Sequence, residues 1–140
     1  MKMSLITIRY ISFALIATAA NLGVQRLTLM IDNSNQFFLL AMIFGTFSGL
    51  IIKYFLDKRW IFFDFTSGLR VHTKKFSLYV IMGIMTTIIF WGTEAFFWFT
   101  YKTQLMREFG ALVGLAIGYF IKFQLDSRYV FKNFNLDNIK

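Results

Sequence analysis

Four apolar stretches, each close to the length of a membrane-crossing helix, set the limits on what this chain can fold into. A hydrocarbon core about 30 Å thick needs roughly 20 residues of helix. Tyr10 to Met30, Phe37 to Leu56, Phe76 to Trp98 and Phe109 to Leu125 approach that length. The 140 residues are 57% hydrophobic and only 16% charged, with no Pro, a balance on the apolar side of soluble domains. Ala17-Thr18-Ala19 resembles a signal cleavage site, but the apolar character runs past it, so the first stretch is predicted to be a true span. The longest connection, from about Lys58 to Lys75, is too short for a core of its own. The fold predicted is all-α and integral to the membrane, with four transmembrane helices in one membrane domain over residues 1–140.

The formal charge of +8 would suggest nucleic acid in a soluble chain. Here the basic residues gather at the ends of apolar segments, where anionic lipid is the partner and nucleic acid is not. They also orient the chain. Lys2 and Arg9 precede the first span; Lys58, Arg59, Arg70, Lys74 and Lys75 lie between the second and third; Arg128, Lys132 and Lys140 follow the fourth. Both termini are therefore predicted to be cytoplasmic. The absence of Cys excludes thiolate chemistry and disulfides, and the single His72 leaves no cluster for a metal. No nucleophile with a neighbouring base is visible, so neither a catalytic site nor a cofactor is expected.

A repeat runs through the chain. Lys53 and Lys122 are offset by 69 residues (122 − 53), and the same offset pairs Gly45 with Gly114, Gly49 with Gly118, Leu56 with Leu125, Asp57 with Asp126, Arg59 with Arg128, Phe62 with Phe131 and Phe65 with Phe134. Two spans per copy return the chain to its starting side, which predicts two parallel two-helix repeats over about 8–65 and 77–134. Gly45, Gly49, Lys53 and Asp57 share one helical face; Gly110, Gly114, Gly118, Lys122 and Asp126 share another. Glycines at this spacing let helices approach closely in lipid, so the second and fourth helices are predicted to pack along these faces, against each other or against other neighbours. In the first case Lys53 and Lys122 would come near one another.

The lysines admit two readings. In one, each snorkels to the headgroups, aided by its i+4 aspartate. Alternatively, the glycine face turns inward and Lys53, Arg59, Lys122 and Arg128 form a cavity suited to a phosphate or diphosphate. Asp57 and Asp126 would then neutralise the lysines when no ligand is bound, or bridge to the arginines. Deeper polar groups include Asn21 and Arg26 in the first span and Thr87 and Glu94 in the third. The offset places Gln25 over Glu94, so Arg26 and Glu94 are expected at similar depth, where an ion pair would fix helix register. Asn21 could be interhelical packing glue or a contact for polar cargo. The aromatics from Phe90 to Tyr101 read as an interfacial belt, and a sugar-stacking surface would use the same residue types.

Four spans, Asn21 in the first, and the closing stretch Lys-Tyr-Phe-Leu-Asp-Lys-Arg-Trp-Ile-Phe at Lys53 to Phe62, echoed after the fourth span, together resemble the GtrA-like proteins. Members typically end the second span with a Phe-x-x-Asn-Arg-x-Trp-Val-Phe-like stretch; this chain has Asp57 and Asp126 where Asn is usual, which makes the site less positive. The resemblance implies a multi-pass protein of the bacterial cytoplasmic membrane that flips a polyprenyl-phosphate-linked sugar for cell-wall or surface polysaccharide synthesis. It assigns lipid-phosphate contact to Lys53, Arg59, Lys122 and Arg128. The sugar would follow a polar seam containing Asn21, Thr87, Arg26 and Glu94. A homo-oligomer or a membrane glycosyltransferase could widen that seam. The alternatives are a non-transporting scaffold for a glycosyltransferase and a small proton-coupled cation exporter using Glu94.

Overall fold

The computed structural model describes residues 3–132. Lys2, Lys140 and Phe134, which enter the charge and repeat patterns above, lie outside the described residues. Four helices carry the chain: α1 (Met3–Ile31), α2 (Asn35–Trp60), α3 (Leu69–Tyr101) and α4 (Gln104–Leu125), the last continuing into a π-helical turn, Asp126–Val130. No strand is present among the described residues, and all four helices are long and apolar enough to cross a membrane. Each predicted span lies inside one of these helices. The helices run on past the apolar stretches because Lys and Arg are good helix formers and hydrate readily at span ends. The 33 residues of α3 extend about 50 Å at 1.5 Å per residue, well beyond the hydrocarbon core.

Local chemistry sets the breaks. Asp32 accepts hydrogen bonds from the backbone N–H and hydroxyl of Ser34 (3.0 and 3.1 Å), and Ser34 in turn caps α2 by accepting from Phe37 N. Thr103 caps α4 by accepting from Met106 N. Lys102, between α3 and α4, has φ +52°, so its backbone turns through the left-handed region where the α3 helix stops.

The chain divides into two compact units, one running to Thr66 and the other Ser67–Lys132. In the first, α1 packs against α2; in the second, α3 packs against α4. Each unit is a helical hairpin whose seam is lined by glycine. In the first, a Cβ on Gly45 would lie 2.7 Å from the backbone oxygen of Asn21 and would also strike its side-chain oxygen, and one on Gly49 would lie 2.9 Å from the Ala17 oxygen. In the second, a Cβ on Gly110 would meet Phe97 Cβ at 2.6 Å and one on Gly114 would meet the Phe90 oxygen at 3.0 Å. The glycine faces of α2 and α4 are thus each met by the preceding helix of the same unit, at backbone-to-backbone distance. Most of the large side chains on the other faces are exposed in the hairpins, as lipid-facing residues must be.

Candidate functional site

Lys53 follows Gly45 and Gly49 along α2, so the close approach that glycine permits carries the lysine into the seam with α1. It is 8% exposed. Its ammonium donates to Asp57 Oδ2 at 2.5 Å and stands 3.8 Å from the ring centroid of Tyr10 on α1. Asp57 is fully buried. The second unit builds the same arrangement: Lys122, 7% exposed, donates to Asp126 Oδ2 at 2.6 Å and stands 3.6 Å from the ring of Tyr79 on α3. Asp126 is also fully buried. Both lysines therefore face a packed helix and a carboxylate. An isolated ammonium at this burial would be costly; the aspartate supplies the opposite charge, and the ring supplies a face of negative potential worth about 2 kcal/mol when desolvated.

Both motif ends close with the same backbone device. Phe62 N donates to Asp57 O at 2.9 Å and Phe131 N donates to Asp126 O at 2.8 Å, a six-residue turn that redirects the chain just after each aspartate. Arg59 and Arg128 lie within these turns and are exposed, Arg59 with its guanidinium 4.6 Å above the ring of Phe65. In the first unit Arg9 donates to the backbone oxygen of Trp60 at 3.0 Å, tying the start of α1 to the end of α2. Lys58 serves structure there: it is 4% exposed and donates to Asp64 Oδ1 (2.9 Å) and to the backbone oxygens of Asp64 and Thr66 (both 2.8 Å). One of the positive charges assigned to the α2–α3 connection is thus already neutralised within it.

The tyrosines were not among the residues singled out from the sequence. The signal that finds them is the offset itself, for Tyr79 follows Tyr10 by 69 residues (79 − 10). The partners of the glycines obey it too: Gly49 meets Ala17 and Gly118 meets Thr86, while Gly45 meets Asn21 and Gly114 meets Phe90.

Each deeper polar residue has its own surroundings within its unit. Asn21 accepts from Gln25 Nε2 at 2.7 Å, one turn along α1, and covers Gly45. This is packing at the hairpin seam. Arg26 is exposed on α1. Thr87 is exposed on α3 and returns its hydroxyl to Gly83 O at 2.9 Å. Glu94 is half-buried, and the cation facing it is Arg107 of α4, whose Nε lies 3.8 Å from Glu94 Oε1. Within its own unit, then, Glu94 has a cation from α4 beside it.

Comparison with curated proteins returned no match, and neither did comparison with solved structures. A family model described as GtrA/DPMS, transmembrane domain, matches residues 9–131, a stretch that includes both lysine–aspartate pairs and both tyrosines, and the chain belongs to this family of membrane proteins linked to polyprenyl-phosphate sugars.

Proposed function

We propose that this chain carries a polyprenyl-phosphate-linked sugar across the bacterial cytoplasmic membrane, with both hairpins running the same way and both motif ends at the cytoplasmic face. The observation that carries this reading is a buried Lys–Asp pair under a tyrosine, with an exposed arginine two residues beyond the aspartate, present once in each unit.

The charge of this arrangement favours one class of lipid. Lysine and aspartate cancel, and the arginine leaves each motif with a single net positive charge. A sugar linked through one phosphate is a phosphodiester with a single negative charge, so its complex with one motif is neutral, the condition a low-dielectric setting tolerates best. A diphosphate-linked sugar would leave excess negative charge. Arg59 and Arg128 supply first contact, since an exposed guanidinium can bind two phosphate oxygens at once. Lys53 and Lys122 are ammonium groups with three N–H donors each, and turning one toward a phosphate oxygen leaves the contact with the aspartate in place. The prenyl chain stays among the exposed apolar faces of the helices. The protein forms and breaks no bond in this role.

The test is transbilayer movement of a labelled polyprenyl-phosphate hexose in vesicles containing the purified protein. Arg59→Gln with Arg128→Gln should slow it at least tenfold, two charge-assisted contacts being lost. The paired change Lys53→Gln with Asp57→Asn keeps the site neutral and hydrogen-bonded, which separates loss of function from loss of folding. Unimpaired movement in both variants would remove the motifs from the transport path.

A further inference from the structure

We infer that the α3–α4 end of the second unit holds a saccharide site, which takes the hexose ring of the transported lipid; this rests on the transport reading above. An open surface pocket of about 490 Å³ lies there, lined by Trp91, Glu94, Trp98, Phe99 and Arg107, with Trp91 and Phe99 largely exposed. That volume falls in the range of about 300–1,000 Å³ usual for small-molecule sites. Two indoles offer broad faces of negative potential to the weakly positive C–H face of a pyranose ring. The polar groups match hydroxyls. At 3.8 Å the Glu94–Arg107 contact is too long for a hydrogen bond, and the buried Nε–H of Arg107 donates none. Both side chains are partly exposed, 43% for Arg107 and 31% for Glu94, so a guanidinium N–H can donate to one sugar hydroxyl and the carboxylate can accept from another.

An interfacial belt alone does not account for this cluster. The helices of the two units end at closely matching positions, yet the residues that correspond to Trp91, Trp98 and Phe99 at the 69-residue offset are Leu22, Leu29 and Met30, and those for Glu94 and Arg107 are Gln25 and Phe38. Anchoring to an interface would serve either hairpin equally. The aromatic and charged groups are concentrated where the pocket is. Glu94 lies seven residues before the end of α3, about 10 Å along the helix, so the site opens near the membrane boundary at the turn between α3 and α4, at the opposite end of the hairpin from Lys122.

The chain has three tryptophans, and two of them line this pocket. Trp60→Phe therefore leaves Trp91 and Trp98 as the only indole fluorophores. With that variant in vesicles, polyprenyl-phosphate glucose, mannose and galactose are titrated against sugar-free polyprenyl phosphate and methyl hexosides. At least one hexose-lipid should produce a saturable change in indole emission that the sugar-free lipid does not, at concentrations well below those at which methyl hexosides act. Glu94→Gln or Arg107→Gln should weaken it about tenfold through loss of a charged hydrogen bond. An equal response to the sugar-free lipid, or to methyl hexosides at the same concentration, overturns the assignment. So does the absence of any response to a hexose-lipid that the same vesicles translocate. A sugar-dependent response without translocation leaves the site standing and removes the transport reading, and a protein showing neither removes both.

Discussion

Removing the carboxylate of Asp57 tests whether Lys53 is held inside the hairpin or merely rests against it. Asp57 is fully buried and Lys53 is 8% exposed, with 2.5 Å between the ammonium and Oδ2. Asp57→Ala leaves the ammonium with the Tyr10 ring, and breaking a buried pair in this way typically costs about 3–5 kcal/mol. The ring can return about 2 kcal/mol at most, and it does so already in the native hairpin, so it offsets none of the loss. The companion change, Lys53→Met with Asp57→Leu, replaces both charges by apolar groups of similar reach and should be close to neutral. Adding Lys53→Met and Asp57→Leu as single changes completes a double-mutant cycle, whose coupling energy should exceed about 2 kcal/mol. Equilibrium unfolding in mixed micelles, followed by helical circular dichroism, reads these differences directly. A cost below about 1 kcal/mol for Asp57→Ala, in the range of exposed ion pairs, would mean that the ammonium reaches headgroups and water, and the buried-pair account would be refuted.

Two further outcomes follow from the same geometry. Gly45→Ala should destabilise the first hairpin by about 1–3 kcal/mol, because the new methyl meets the Asn21 backbone oxygen at 2.7 Å, whereas Gly118→Ala, whose Cβ would sit 3.4 Å from Thr86 O, should be neutral or gain up to about 1 kcal/mol of helix propensity; thermal unfolding of the two variants checks the ordering. Asp57→Asn together with Asp126→Asn raises each motif by one positive charge, and competition between mono- and diphosphate-linked lipids in the vesicle assay should shift toward the diphosphate.

Much of the fold was legible because period and length suffice for it. Four apolar runs give four helices, and glycines four apart on α2 and α4 mark the faces along which they pack. The choice of packing partner was not legible, because glycine spacing describes one surface and says nothing of what meets it. That is why α2 against α4 and α2 against α1 were equally compatible with the pattern. The tyrosines were hidden for a related reason. Tyr10 and Tyr79 lie near the beginnings of apolar runs, where a tyrosine usually marks an interface. Their place over the lysines emerges only once α1 is set beside α2 and α3 beside α4. Lys58 was read by its charge; its burial depends on Asp64 and Thr66 folding back over it, a loop geometry that composition does not reveal.

The order of charges along α2 and α4 is not the one helix stability would select. Carboxylates are favoured toward the N-terminus and cations toward the C-terminus, and a carboxylate preceding a lysine by four residues is the better arrangement. Here the lysine comes first. Asp57 stands in the last turn of α2 and Asp126 at the end of α4, each against the negative end of its helix dipole, at a cost of about 0.3–1 kcal/mol. What the reversed order provides is position. The ammonium is drawn a full turn into the seam, under its tyrosine, and the carboxylate stands between it and the motif end. Snorkelling needs the opposite, a cation at the helix end with a clear path to the headgroups. On the proposed transport reading, a lysine kept inward by its own aspartate, while an arginine just beyond stays exposed, would separate the group that first meets an anion from the group that receives it deeper. That division suits a protein that must draw a phosphate away from the surface rather than hold it there.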